Sequence, residues 1–528
     1  MGKTHYKIGI DVGGTNTDVV ILDASNQVIA AVKSSTTQDV EQGIFSGLET
    51  VLKESQIDTA DIAYVSLGTT HATNAIIRRH DLSKVAVVRI CLPAGKGVPS
   101  LMNWDADLTS AMGATTYLLH GGVEYDGRPL ASKDLDQKEC MEVLEQIKEA
   151  KTEAIAVTSI FSPVNSEHER QFAQYAREYL GPDVSITLSS EIGSLSLIER
   201  ENSTILNASV VGVAQNAAKG LVEALKRFGI DTKVFFAQND GTLMALEYAM
   251  RYPVLTIGSG PTNSLRGAAY LSGLKNCIVA DIGGTSTDVG IMVNGFPRQS
   301  SVAVEVGGVL TNFRMPDLIS IGLGGGSIVS VDGDDITIGP DSVGYQISKK
   351  AISFGGDVLT TTDIALAAGV ASISDPRCDP SRLNHLDPDL VKRAMDKIVE
   401  MVLQACDRIK TSAQPLPIVL VGGGSLLVPQ GAKGENIIRP ENSGCANAIG
   451  AAIADASGEV DALWATENIS REEALREAQE QAVQKAKDMG ADPEEIEIVD
   501  MEVVPLTYLP GNVMRIKVKA AGPLRIDS

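Results

Sequence analysis

Two stretches of nine residues carry most of the chemistry that this sequence offers. Asp11-Val-Gly-Gly-Thr-Asn-Thr-Asp-Val19 recurs as Asp281-Ile-Gly-Gly-Thr-Ser-Thr-Asp-Val289, with seven of nine positions identical. Each copy follows one apolar run and precedes another, the pattern of two strands joined by a tight turn. Glycines let backbone approach a ligand closely, and successive N–H groups in such a turn form a concave anion site. Gly13, Gly14, Thr15, Asn16 and Thr17, with Gly283, Gly284, Thr285, Ser286 and Thr287, are therefore candidates to grip a phosphate chain from two sides. Asp11 and Asp281, at the strand ends, are candidates for catalysis and for holding Mg²⁺, which uses few carboxylates and keeps several waters. Asp18 and Asp288 come second. A single copy would be an ordinary hairpin turn; the duplication, with Asp at both ends, favours phosphate.

Other phosphate motifs are missing. There is no G-x-x-x-x-G-K-[ST] and no G-x-G-x-x-G after a strand, which disfavours a P-loop enzyme or a classical dinucleotide enzyme. Two further glycine runs follow apolar runs: Ile319-Ser-Ile-Gly-Leu-Gly-Gly-Gly-Ser-Ile328 and Ile418-Val-Leu-Val-Gly-Gly-Gly-Ser425. In the first, Gly324, Gly325 and Gly326 either line a cleft or answer a packing demand.

The elements that must position these turns read as α/β. Strand patterns at Tyr6–Asp23, 27–33, 62–68, 85–90, 154–159 and 184–188 alternate with helix patterns at 39–55, 135–150 and 166–180. The repeat implies two related α/β lobes, each opening with a β-hairpin. Past Asp455 the character changes: 471–500 is strongly acidic, with a helix-forming first part, a solvated face by default, and strands after it. The expected division is 1–195 for the first lobe, 196–457 for the second, and 458–528 as a small α+β appendage. Glu199-Arg-Glu-Asn202 reads as a surface salt-bridge cluster, and Gln238-Asn-Asp-Gly-Thr242 as a turn.

Composition bounds the rest. The chain has 528 residues, 44% hydrophobic, with a formal charge of −22. Disorder is excluded by the apolar content, and a nucleic-acid binder that neutralises phosphates with basic side chains by the charge. The six cysteines include no CxxC pair, which leaves a zinc ribbon or redox dithiol without support and fits a reduced, cytoplasmic setting. No apolar run approaches the ~20 residues of a membrane span. The first residues show no signal core, and the histidines show no metal-ligand spacing.

The set of motifs resembles the actin-like ATPase superfamily of sugar kinases, Hsp70 and actin. That resemblance implies two ribonuclease H-like lobes around an ATP cleft. Asp11–Asp18 and Asp281–Asp288 are then the phosphate elements, and Gly422, Gly423 and Gly424 the adenosine element, followed by a helix over 442–451. Within the superfamily the chain resembles the hydantoinase A/5-oxoprolinase family. Gly68-Thr-Thr-His-Ala-Thr-Asn-Ala75 is similar to its G-T-T-x-A-T-N-A, Gly258-Ser-Gly-Pro261 to its S-G-P, 281–289 to its D-M-G-G-T-S-T-D-V, and Gly322–Ile328 to its G-A-G-G-G-S-I. Many longer members have a His where this chain has Ile319.

The resemblance implies an ATP- and Mg²⁺-dependent hydrolase subunit that opens a cyclic amide or imide through a phosphorylated carbonyl. Thr69 and Asn74 would contact substrate, with Gly324–Gly326, and Thr70 and His71 would act in catalysis. The alternative for Thr69–Asn74 is a plain helix cap. Arg78 and Arg79 could meet a substrate carboxylate or simply face solvent. A second, B-type subunit encoded separately is expected, in a homo- or hetero-oligomer with no nucleic acid or membrane partner. Alternatives on the same fold are a small-molecule kinase and a non-catalytic ATPase that activates a partner enzyme.

Overall fold

The computed structural model describes residues 5–13, 16–35, 40–300, 303–333, 335–465, 469–507 and 512–525. Gly14 and Thr15 lie outside them. The fold is mixed α/β with several sheets. Among the described residues the largest sheet has nine strands. In spatial order they are Glu497–Pro505, Val513–Gly522, Ala456–Ala465, Leu243–Ala245, Lys233–Ala237, Ile62–Thr69, Tyr6–Val12, Asn16–Leu22 and Val28–Ser35. A second sheet is centred on Cys277–Ile282, flanked by Thr287–Val293 and Ile418–Val421. A third, all-parallel sheet runs Thr115–His120, Val85–Leu92, Ala154–Ser159, Ser185–Leu188. Its Ala154–Ser159 strand is buried along its whole length, as a parallel strand covered by helices on both faces should be.

The repeat is structural as well as sequential. Tyr6–Val12 pairs antiparallel with Asn16–Leu22, placing Asp11 opposite Asp18, and parallel with Ile62–Thr69, placing Asp11 opposite Gly68. Cys277–Ile282 pairs antiparallel with Thr287–Val293, placing Asp281 opposite Asp288, and parallel with Ile418–Val421. Alternating apolar residues such as Ile8, Ile10, Val19 and Ile21 fill the core of the first unit, and Ile278, Ala280, Val289 and Ile291 that of the second.

The three-part division needs correction. Strands from 6–69, 233–245 and 456–522 share one sheet, so the C-terminal segment extends the first unit's sheet instead of standing apart. The join is the parallel pairing of Leu243 with Ala456, where Leu243 N also donates to Asp455 O at 2.7 Å, so backbone groups that an isolated appendage would leave open are satisfied. The helix Arg471–Asp488 lays a stripe of Ala474, Ala478, Ala482 and Ala486 on this sheet and leaves its acidic residues outward.

Two helices fill the space between the two repeated units. Ser259–Ser272 packs on the second sheet and Ala446–Ala452 on the first, and they cross in contact with one another. The crossing is close because of two glycines. A Cβ on Gly267 would lie 1.9 Å from the Ala446 carbonyl oxygen, and one on Gly450 would lie 1.9 Å from that of Asn263.

Candidate functional site

The two hairpins bring Asp11 and Asp281 to the inner ends of their strands, where the crossing helices join them. Asp11 accepts hydrogen bonds from Asn263 Nδ2 at 3.4 Å and Asn447 Nδ2 at 3.3 Å. Ser264 Oγ, one residue after Asn263, contacts both Asp281 Oδ2 and Asn447 Oδ1. The result is a relay, Asp11–Asn447–Ser264–Asp281, that ties the two sheets together through one side chain of each helix. Sequence reasoning covered the run holding Asn447 but singled out none of these side chains. Their signal is polar residues on otherwise small-residue helices.

Each aspartate sits in a matched glycine cradle. A Cβ on Gly68 would be 2.4 Å from Asp11 Oδ1, and one on Gly422, where φ is +83°, would be 2.3 Å from Asp281 Oδ1. Glycine is therefore required beside each carboxylate. The turns match too: Gly13 N donates to Asn16 O at 2.9 Å, and Gly283 N to Ser286 O at 2.9 Å. Gly284 and Thr285 are exposed at the tip of the second turn, and Gly423 is exposed near it.

Electrostatically the site gathers carboxylates, with the Lys33 ammonium against one of them, Asp18. Burial, then Asp18, pushes the Asp11 carboxyl up to about 7. Burial, then Asp288, pushes Asp281 up to about 6. Asp18 and Asp288 are also raised by burial. Carboxylates gathered this way favour a divalent ion beside them. Among the described residues no cluster of three or more His, Cys, Asp or Glu forms a metal cage; Mg²⁺ in general takes one or two carboxylates and completes its shell with water and phosphate. Asp11 and Asp281 are the residues that would hold it, and it would neutralise charge on a phosphate chain.

Not every predicted residue faces this space. Thr287 is fully buried and its hydroxyl donates to Leu323 O at 2.6 Å, so it braces the glycine run instead of the ligand side. Gly324, Gly325 and Gly326 are buried under the second turn. Gly325 N and Gly326 N donate to the carbonyls of Gly283 and Gly284 at 2.9 and 2.7 Å. They shape the turn, and the packing alternative holds over a substrate-facing role. Gly424 N likewise donates to Ile282 O at 2.7 Å.

The Thr69–Asn74 run stands against the first hairpin. Val12 is the register partner of Thr69, and Thr70 Oγ1 donates to Val12 O at 3.2 Å. Asn74 Nδ2 donates to Thr70 Oγ1 at 3.2 Å. Thr70 occupies the N-cap of the helix His71–Arg78, yet its side chain makes no cap bond. Its hydroxyl is turned to the hairpin, which the capping alternative did not anticipate. His71 Nδ1 contacts Thr69 Oγ1. The ring borders a small apolar cavity with Ala72, Ala218, Phe236 and Ala249, and burial lowers its pKa. Arg79 is committed to Asp105 and Asp107 and to the carbonyls of Ile76 and Gly307, which removes it as a partner for a substrate carboxylate.

Two other sequence readings change. Arg200, Glu201 and Asn202 are buried at the start of the long helix Leu197–Arg227, where Glu201 accepts from Arg89 Nε at 2.8 Å. The expected surface cluster is an internal one, because that helix packs on a face of the parallel sheet. In the turn at 238–242, Asp240 pairs with Lys519 Nζ at 2.7 Å, which holds its carboxyl well below the usual range despite burial. Asn239 Oδ1 accepts from Gly258 N at 2.6 Å, so the turn anchors the start of the helix that carries Asn263 and Ser264.

Against known proteins, residues 7–180 match the hydantoinase/oxoprolinase N-terminal region, and residues 200–415 match the hydantoinase/oxoprolinase region. The chain belongs to the hydantoinase/oxoprolinase family. The first match holds the first hairpin and the Thr69–Asn74 run; the second holds the second hairpin and the 322–327 glycines; Gly422 and Asn447 lie beyond both. The chain is 26% identical over 456 residues to an uncharacterised protein of Methanocaldococcus jannaschii, covering 79% of this chain and 65% of that one. It is 26% identical over 393 residues to the caprolactamase alpha subunit of Pseudomonas jessenii, covering 70% and 55%. It thus spans about half to two thirds of three of the curated relatives it matches, and about a third or less of the plant and fungal oxoprolinases it also matches. Its fold is that of the ATP-dependent caprolactamase from P. jessenii, with a TM-score of 0.76, 19% identity, and coverage of 98% of this chain and 88% of that one. No helix among the described residues is long and apolar enough to cross a membrane.

Proposed function

We propose that this chain is the ATP-using subunit of an enzyme that opens a cyclic amide or imide, on two actin-like lobes with Mg²⁺ at Asp11 and Asp281. The observation that carries the reading is the register-matched pair of hairpins, each presenting an Asp in a glycine cradle, joined by the Asn447–Ser264 relay. Two facing turns with N–H groups and a divalent ion supply what phosphoryl transfer needs, namely positioning and charge stabilisation. The family membership and the caprolactamase relative support the ring substrate, and that relative's description as an alpha subunit supports a separately encoded partner.

An unstrained lactam carbonyl is a poor electrophile. Transfer of the γ-phosphoryl group to its oxygen releases ADP and activates the carbon. Water then adds there, the ring C–N bond breaks with proton transfer to nitrogen, and a second water releases phosphate. Asn16, Gly283, Gly284, Thr285 and Ser286 would hold the phosphates, and Gly422–Gly424 would border the nucleoside. Thr70, fixed on the Val12 carbonyl, and His71 stand beside the first hairpin, where a carbonyl oxygen would approach. His71 is held neutral by burial, the form that can accept a proton.

The test is purified protein with Mg-ATP and a panel of lactams, hydantoins and 5-oxoproline, with and without the neighbouring-gene subunit. Phosphate release stimulated by one ring compound, with the ring-opened acid as product, is expected. A stable phosphorylated product would replace this reading with a kinase. ATP turnover that no ring compound stimulates would replace it with a switch ATPase.

A further inference from the structure

The repeat allows the two hairpins to be compared position by position, and they differ in charge at one place. The residue opposite Asp18 on the third strand is Lys33, and the residue opposite Asp288 on its third strand is Ser320. Ser320 satisfies Asp288 with a single hydroxyl. Lys33 Nζ lies 2.7 and 2.8 Å from the two oxygens of Asp18. A hydroxyl at position 33 would have met the same hydrogen-bonding need, so the lysine adds something that the pairing alone does not require, a full positive charge. That charge reaches solvent: the Lys33 side chain is 38% exposed, whereas that of Asp18 is 8% exposed. Desolvation opposes it, but Asp18 more than offsets this and keeps the ammonium charged. Its field also acts on Asp281 across the gap, in the other repeated unit. An ammonium has three donors on a flexible stem, and the single hydrogen bond to Asp18 Oδ2 leaves donors for a second acceptor.

We propose that Lys33 is a phosphate-binding residue of this cleft, shared between Asp18 and a phosphate of the bound nucleotide, and that the two otherwise equivalent hairpins are thereby made unequal. The assignment rests on the nucleotide reading above. Asp18 acts as a positioning residue that aims the ammonium into the gap between the sheets. The second hairpin, with Ser320, grips its phosphate by backbone N–H groups and hydroxyls alone.

Calorimetry with ADP, in buffers with Mg²⁺ and with EDTA, tests this without turnover. Lys33→Met is expected to weaken ADP roughly 10- to 100-fold, as befits loss of a charge-assisted hydrogen bond, and to change adenosine binding less than about twofold. Lys33→Arg should recover most of the loss. If Lys33 serves only to neutralise Asp18, the double variant Asp18→Asn/Lys33→Met would regain wild-type ADP affinity; the proposal expects it to stay weak. Thermal melts of each variant separate misfolding from lost contact, and Lys33→Gln substitutes if the Met variant fails to fold. Wild-type affinity in Lys33→Met, or recovery in the double variant, overturns the Lys33 assignment alone. A wild-type protein that binds no adenine nucleotide overturns the nucleotide reading with it.

Discussion

Replacing Asp11 by Asn should trade activity for stability, in a way that depends on pH. Asp11 is 5% exposed, and burial and Asp18 raise its carboxyl from the ordinary 3.8 to about 7. A carboxyl with a raised folded-state pKa is protonated in the native protein at pH values where the unfolded chain has already lost its proton. The native state then holds more protons, and stability falls as pH rises, by about 1.4 kcal/mol per pH unit between the two pKa values. Over the whole interval that is about 4 kcal/mol, and about 2.5 kcal/mol of it falls between pH 5 and pH 8. Asparagine has nearly the same shape but does not ionise. It keeps one acceptor for Asn263 or Asn447 and loses the other, at about 1–3 kcal/mol. In metal-free, nucleotide-free protein, Asp11→Asn should therefore be destabilising at pH 5 and neutral to stabilising at pH 8, while ring-dependent ATP turnover is abolished. Urea midpoints at the two pH values, in EDTA, measure the shift. An effect on stability that is equal at pH 5 and pH 8 would refute the buried-carboxylate account, and retained turnover would refute the role of Asp11.

Three further perturbations follow from the geometry. Gly422→Ala adds a Cβ 2.3 Å from Asp281 Oδ1 at a φ of +83°, and should weaken ADP at least tenfold with a smaller effect on folding; calorimetry paired with a thermal melt decides it. Gly450→Ala pushes into the Asn263 carbonyl at 1.9 Å. It should cost about 1–3 kcal/mol of stability and lower turnover by spreading the helices that carry Asn263 and Asn447; an unchanged melting temperature would contradict the tight crossing. Glu201→Gln leaves Arg89 buried without its counter-charge and should destabilise by about 3–5 kcal/mol, with ADP affinity unchanged in whatever fraction folds.

Much of the candidate site is legible from residue types because its parts are local. A strand end, a Gly-Gly turn and a returning strand lie within nine residues, so their spacing alone shows Asp11 and Asp281 at matching places, and the register confirms the match at Asp18 and Asp288. The glycines at 324–326 show the limit. Their pattern is equally that of a loop touching ligand and a loop touching backbone, and only the contacts to Gly283 and Gly284 distinguish the two. Arg200 and Glu201 show it again: charge predicts a surface, yet both are buried, and Glu201 meets Arg89, 112 positions away.

The sequence by itself determined the duplication, the α/β alternation and the identity of the carboxylates, because each depends on residues within one strand-turn-strand unit. Tertiary structure alone decided three things. It merged the C-terminal segment into the first sheet, since the strand Ala456–Ala465 pairs through Ala456 with Leu243, far back in the chain. It placed Asn447 and Ser264 between two aspartates 270 positions apart, since helices can cross at backbone distance only where Gly267 and Gly450 both lack a side chain. And it set Lys33 against Asp18, a relation fixed by strand register and side-chain reach, which no local pattern encodes.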